Sequence, residues 1–556
     1  MNRDFLIVGG GTAGAAIASR LSENPAHRVL LLEAGEDIPP GREPADIRDP
    51  FPSSTLNRQY FWDGLSATAR DGGTPVRYPQ ARVMGGGSSI NGMFALRGVP
   101  SDYARWEQAG ARGMSWETVL PYFRQVEDDR DRGDGAGNPH PIARTSKSEW
   151  PAFVRAMELA AKSAGLPFVP DINEQPGDGF FAMPNAIDAE ARVTTPGGYL
   201  TAAVRARRNL EIVPNTVVTR LRMSGETVSG VDGIQGGGVV RFEARHIVVC
   251  AGGIHSPTLL LRSGVGPATD LGALGIPVAL DLPGVGRNLQ NHPYMFFALT
   301  LPRDKRMAAG LRRFAVAGVR ASSLQAGAPA GDLFSFVLGR VSGESFGPNF
   351  SLVGGALYAP KSRGYVRLQS ADPMVHPDVN FRFLSDPTDV PRMVQAGRLA
   401  ERLLRDPRVA AQYREAFLLP GALAINQFNR PGLAGKLLSL AAGVAAGSPS
   451  LLRRAIFSRA FRSGPPAVHR GGGRVISDEE ILSSISPMGH PVGTCAMGER
   501  SDPLAVVDDA FRVYGTRNLF VADASVMPSI TSANTNLPTL MLAEMAAQRI
   551  GASTRR

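Results

Sequence analysis

Only two of the 556 residues are cysteine, Cys250 and Cys495. That excludes a disulfide scaffold and points to a reducing compartment, the cytoplasm. No run of about 18 or more apolar residues occurs, so no spanning helix is expected. No pair of His or Cys has metal-ligand spacing, so no metal site is expected either. The start of the chain lacks a basic region followed by a long apolar run. It passes almost at once into the buried-type strand Phe5-Leu-Ile-Val8, which is not the pattern of a signal peptide. Acid is missing from one long stretch: no Asp or Glu stands between Glu415 and Asp478. The net charge of +10 comes from Arg dispersed along the chain and not interleaved with aromatics, which argues against a nucleic-acid partner.

What is present fits a large soluble α/β protein. A chain of 556 residues is too long for one simple core, so two domains are expected. Phe5-Leu-Ile-Val-Gly9-Gly-Gly11-Thr-Ala-Gly14 reads as a strand entering a glycine turn. Helical periodicity follows to Leu21, then a second buried strand, Arg28-Val-Leu-Leu-Leu-Glu33. Strand, G-x-G-x-x-G, helix, strand and an acid about 20 residues on form the dinucleotide-binding fingerprint. Gly9 permits the tight turn, Gly11 lets the backbone approach a pyrophosphate, and Gly14 lets the helix pack on the strand. The helix N-terminus presents free N–H groups and its positive dipole end to phosphate. Glu33 can accept from both ribose hydroxyls. A second cluster, Arg82-Val-Met-Gly85-Gly-Gly87-Ser-Ser-Ile-Asn91-Gly-Met93, reads as a buried cofactor-facing turn, because Val, Met and Ile flank its glycines.

At this point the chain resembles the glucose–methanol–choline (GMC) family of FAD oxidoreductases. The resemblance rests on four blocks: Gly9 to Glu33; Ala81 to Asn91 with Asp102-Tyr-Ala-Arg-Trp106; Cys250-Ala-Gly-Gly-Ile-His-Ser-Pro257 with Ser263 to Pro267 and Gly284 to Leu289; and the stretch from His490 to Met541. Asp178-Gly-Phe-Phe181, Pro196 to Leu200 and Leu384 to Asp389 make it most similar to bacterial aryl-alcohol and hydroxymethylfurfural oxidase-type and choline dehydrogenase-like members. The resemblance implies an α/β fold with a discontinuous Rossmann-like FAD domain, residues 1–155, 196–295 and 480–556. An α+β substrate domain with an antiparallel sheet would take residues 156–195 and 296–479. In outline the residues agree. Leu210–Val213 reads as a strand that Asn215–Val218 continues, His246–Cys250 as a buried strand, and Asn518–Asp523 as another. Phe350–Val353 and Gly364–Leu368 alternate as sheet strands do, and Val390–Leu404 is an amphipathic helix.

The resemblance also implies roles. FAD would be held by Gly9, Gly11, Thr12, Ala13, Gly14, Glu33, Ala34, Arg82, Gly87, Ser88, Asn91, Gly92, Met93, Val218, Ala251, Asp523, Ala524, Asn534 and Thr535. Val218 would read adenine through its backbone. Asp523 and Ala524 would lie beside the pyrophosphate and ribityl chain. Some members tether FAD through a His in the second glycine block; here Ile90 stands there, so noncovalent FAD follows. His490 falls at the family's catalytic base, and Asn534 at its second active-site position. Oxidising an alcohol requires a base beside the hydroxyl, and His titrates near neutrality. Asn534 is an amide, so it cannot be that base, but it can hold the oxygen with one donor while its carbonyl is anchored elsewhere. A helix from about Leu537, with Pro538 in its first turn, would direct its N-terminus at the flavin pyrimidine. His255 and His292 lie in family blocks at positions without catalytic duty. His140, His376 and His469 read as loop residues.

The expected reaction is FAD-dependent oxidation of a primary aryl or activated alcohol, with O2 or a quinone as acceptor. The alternatives are a non-redox flavoprotein lyase and a dehydrogenase feeding a membrane quinone. The acid-free stretch bears on the last. Gly432 to Ala441 is apolar, and Leu451 to Arg462 reads as a basic amphipathic helix. A lid, an oligomer contact and a peripheral contact through 430–462 with the inner face of a membrane are all open for it. Phe334, Phe336, Phe346 and Phe350 read as core rather than as pocket lining.

Overall fold

A computed structural model describes residues 3–553 apart from 190, 309, 345, 422–427, 430–431 and 470–471. Two sheets organise it. The first is five-stranded and parallel, in the order Leu210–Val213, Val29–Leu32, Phe5–Val8, His246–Val249, Leu519–Val521. Its strands Phe5–Val8 and Val29–Leu32 are buried at every position and His246–Val249 at all but His246, as both-face coverage of a parallel sheet requires. The helix Thr12–Leu21 lies against the C-terminal helix Asn536–Ser553, so the two ends of the chain build one layer. Gly9, Glu33, Ala251 and Asp523 all sit at the carboxyl ends of these strands, where open α/β sheets bind ligands.

The second sheet is antiparallel. Its strands run in the order Gly472–Gly473, Val468–His469, Glu415–Leu418, Pro293–Thr300, Phe350–Leu357, Leu333–Leu338, Ala315–Ala321, Gly179–Ala182. Ser486–Pro487 also pairs with Pro293–Thr300. Period-two alternation splits its side chains between two cores. Leu333 and Val337 join Met393, Ala396 and Ala400 of the helix Asp389–Arg405. Phe334, Phe336 and Leu338 point the other way, into an aromatic cluster with Phe296, Phe346 and Tyr358. All four phenylalanines in question are therefore core, as expected.

The structure corrects three local readings. Asn215–Val218 does not continue the Leu210–Val213 strand. Pro214 can give the ladder no N–H, and Asn215 turns the chain with φ +54°, so Thr216–Ser224 starts a separate three-stranded antiparallel sheet. Val218 lies there, paired with Gly233. Tyr365–Arg367 is a strand, as expected, and pairs with Asp378–Asn380. His140 is not on a surface loop but buried in the short strand His140–Ile142, and His469 is on the strand Val468–His469. Two strands of the antiparallel sheet reach across the expected seams, Pro293–Thr300 at residue 296 and Ser486–Pro487 beyond 480.

Candidate active site

The first glycine turn separates two kinds of glycine. A Cβ at Gly14 would stand 1.9 Å from the Gly9 carbonyl oxygen, and one at Gly9 (φ +103°) would stand 2.6 Å from that of Cys250. Those two positions need glycine for the fold itself. A Cβ at Gly11 would meet only the Gly86 Cα, at 3.8 Å, and one at Gly87 would meet nothing within 4 Å. The protein's own packing does not demand glycine there, which is what a backbone cradle for a pyrophosphate looks like. The two glycine blocks are joined by the Gly85 amide donating to the Gly10 carbonyl at 2.8 Å. Glu33 is buried beside them, and its two oxygens accept from the amides of Gly10 (2.7 Å) and Gly35 (2.8 Å). Burial lifts its carboxyl to about 7, against the pull of those amides. Each oxygen keeps a lone pair for a ribose hydroxyl.

The other expected cofactor residues surround this turn. Arg82 donates to the Ala34 carbonyl at 3.1 Å and covers the Trp62 ring. Thr12 donates to the Asn536 side chain at 2.9 Å, tying the first helix to the last, and Ala13 is buried behind it. Ser88 is committed internally: its hydroxyl donates to the Gly85 carbonyl and accepts from the Thr195 amide. Asn91 accepts from Arg192 and from the amide of Met93, which has φ +67°. A Cβ at Gly92 would touch Phe314 at 3.5 Å. Asp523 accepts from the amides of Gly252 (2.7 Å) and Ser525 (2.7 Å) and from the Ser256 hydroxyl (2.6 Å). It thereby joins the Leu519–Val521 strand to the helix Gly252–Arg262. The Ala251 amide donates to that same Ser256 hydroxyl, and the Ala524 carbonyl accepts from the Gly493 amide in the His490 turn. The Thr535 carbonyl starts the hydrogen bonding of the C-terminal helix by accepting from Thr539. Ile90 is partly buried against this core.

His490 and Asn534 meet. Asn534 Nδ2 lies 3.2 Å from His490 Nε2, and Asn534 Oδ1 accepts from the Tyr358 hydroxyl at 2.9 Å. On the far side of the ring, His490 Nδ1 lies 2.9 Å from Nδ1 of His292. His292 Nε2 lies 3.1 Å from two backbone carbonyls, those of Tyr358 and Thr531. These partners assign the protons. A nitrogen facing two carbonyls must carry its hydrogen, so the Nδ1 of a neutral His292 is an acceptor. His490 Nδ1 must then be the donor, which leaves His490 Nε2 as the lone pair that accepts from Asn534. Burial holds both rings neutral, His490 down to about 4 and His292 well below the usual range. The sequence reading gave His292 no duty, and here it fixes the tautomer of His490.

Tyr358 escaped the sequence reading altogether. Its ring stacks on His292 at 4.3 Å and on Phe334 at 4.4 Å. Asp102 is a further part of the support. Its carboxylate accepts from the Ser532 amide (2.8 Å), the Ser532 hydroxyl (2.9 Å) and the Val99 amide (2.9 Å), while Trp106 Nε1 donates to the Ser529 carbonyl. The helix Pro100–Gln108 thus clamps the segment that presents Asn534. Asn291 does the same for the two rings, its carbonyl accepting from the amides of both His292 and His490. The amide-rich run Asn288 to His292, just ahead of an apolar strand, is a sequence signal for Asn291 alone, and nothing comparable marks Tyr358.

Comparison with known proteins gives consistent findings. Two family profiles described as GMC oxidoreductase match residues 3–294 and 360–543. The 5-(hydroxymethyl)furfural oxidase of Methylovorus sp. (strain MP688) is 37% identical over 98% of this chain and 98% of its own. The mitochondrial choline dehydrogenase of Homo sapiens is 33% identical over 98% of this chain and 89% of its own. Among solved structures, pyridoxine 4-oxidase from Mesorbium loti aligns with a TM-score of 0.79 at 30% identity, over 98% of this chain and 99% of that one.

Proposed function

The chain belongs to the GMC oxidoreductase family, and from that premise we propose that it oxidises a primary alcohol, aryl or otherwise activated, to the aldehyde. FAD, held noncovalently because Ile90 has no nucleophilic atom, supplies when bound the acceptor for the carbinol hydride. The glycine cradle at Gly11 and Gly87 and the buried Glu33 fit such a dinucleotide. The electrons leave to O2 or a quinone. The observation that carries the proposal is the directed hydrogen-bond chain through His292, His490, Asn534 and Tyr358.

That chain leaves one basic atom, His490 Nε2, to take the hydroxyl proton. When it does so, the positive charge is shared through Nδ1–H with the His292 lone pair. Burial and the neighbouring His490 hold His292 well below the usual range, which favours its remaining an acceptor. Asn534 has a second amide hydrogen for the substrate oxygen, and Tyr358 prevents its amide from turning over. Its side chain is engaged in this way rather than as a helix cap, since the C-terminal helix begins at Asn536.

The test is to mix the yellow protein with a broad panel of aryl and activated primary alcohols without oxygen. Rapid loss of the oxidised flavin band is expected, and a band that persists across the panel rejects the reading. A separate expectation concerns the cradle. Gly14→Ala places a methyl 1.9 Å from the Gly9 carbonyl, a contact only backbone displacement can relieve. The variant should be isolated with at least a tenfold lower flavin-to-protein absorbance ratio, or not fold at all.

A further inference from the structure

The helix Gly432–Gly447 is assembled inside out. The residues it turns toward the protein are small: Gly435, Ser439, Ala442 and Ala446, at spacings of four, three and four. The opposite stripe, offset by two residues, is Leu433, Leu437, Leu440 and Val444. All four side chains face solvent, at 76%, 60%, 61% and 71% exposure. A helix that owed its place only to its own core would bury the leucines and show the alanines. The exposure continues through Leu451 and Leu452 at the start of the next helix, Ser450–Ala460. Seven of the sixteen large hydrophobic side chains exposed among the described residues lie on these two helices, so they form a patch rather than scatter.

Its charge is one-sided. Lys436, Arg459 and Arg462 are exposed within or beside the patch, and no acid stands between Glu415 and Asp478. Glu415 itself is buried and neutralised by Arg453, with bonds of 2.8 and 2.7 Å, and it also accepts from Thr300. Arg453 is thereby spent on anchoring the second helix, while the outer bases stay free to meet a partner. At about 1.5 Å per residue the sixteen-residue helix is roughly 24 Å long, short of a hydrocarbon core. No described helix is long and apolar enough to cross a membrane.

We propose that this face docks on the surface of an anionic bilayer. The leucine stripe would enter the acyl boundary and the bases would meet the lipid phosphates. A second copy of the chain is the weaker fit. A two-fold contact sets a patch against itself, which would place this acid-free basic surface against an identical one. Ala442 and Ala446 of the inner stripe belong to the same extended apolar cluster as Tyr358 and Ala533.

Sedimentation of the FAD-loaded protein with vesicles tests the assignment. Vesicles of phosphatidylglycerol and phosphatidylcholine in equal parts should carry the protein down, less so as salt is raised, and vesicles of phosphatidylcholine alone should not. Leu437→Glu with Leu440→Glu should weaken binding by about tenfold or more while flavin content and alcohol oxidation in solution are kept. Four results would overturn the assignment: no binding to the anionic vesicles, equal binding to the neutral ones, undiminished binding by the double variant, or a concentration-dependent dimer that the same double variant dissolves.

Discussion

His490→Ala is expected to slow flavin reduction by alcohol about a thousandfold while the protein stays yellow. A positioned general base contributes typically ~10²–10⁴, and among the described residues Asn534 bonds no second candidate that could replace it, only His490 and the Tyr358 hydroxyl. Among the described residues His490 hydrogen-bonds Asn291, His292 and Asn534, and none of the glycine-block backbone. Truncation should therefore spare cofactor binding. The pH dependence has a definite sign. The working form is the neutral ring, and burial sets its pKa at about 4. The wild-type reduction rate should therefore be flat through neutrality and fall as pH drops through about 4, not through the usual 6.5. Rapid-mixing measurements of anaerobic flavin reduction across pH check both parts. Retained rapid reduction in the variant would refute the role.

His292→Leu is expected to cost about a hundredfold in the same rate without loss of flavin. Leucine offers no acceptor, so the Nδ1–H of His490 would be left buried and unpaired. The ring then loses the partner that holds its proton on Nδ1, and more of it carries that proton on Nε2, the atom that must be bare. Removing the partner that fixes a catalytic histidine's tautomer has cost as much as ~10⁴ elsewhere. The smaller figure here reflects Asn534, whose Nδ2 still favours a bare Nε2. His292→Asn, whose carbonyl can accept near the same place, should recover a substantial part of the rate. A merely structural role for His292 predicts the reverse, with flavin content falling in step with activity and no recovery by asparagine.

These two predictions also mark where the sequence could be read and where it could not. The nucleotide-binding unit was legible because its parts are local. Gly9, Gly14 and Glu33 fall within about thirty residues, and each is dictated by a turn, a close approach or a strand end. His490 and Asn534, 44 residues apart, could be named only through resemblance. His292 and Tyr358 were out of reach because register brings them together, not spacing. Tyr294 pairs with Ala356 across two antiparallel strands, so the residues two positions further on are His292 and Tyr358. Their rings stack as such a pair should. No periodicity in either segment announces that register. The strand after Pro214 failed for a different reason: Asn215 reverses the chain by a left-handed residue, and its flanking residues suit a strand on either side.

The parallel sheet has a consequence for how the molecule comes into being. Of its five strands the central one, Phe5–Val8, is made before the others, while the edge strand Leu519–Val521 and the helix that covers Thr12–Leu21 follow some five hundred residues later. At translation rates of about 5–20 residues per second the nascent chain carries an unfinished sheet for roughly 25–100 s. Throughout that interval an apolar edge and an uncovered helix face are open to wrong partners. Asp523, which ties the Gly252 turn, and Asn536, which accepts from Thr12, are made long after the glycine turn they support. The proposed flavin site is thus completed only once the segment carrying Asp523 and Asn536 has been made.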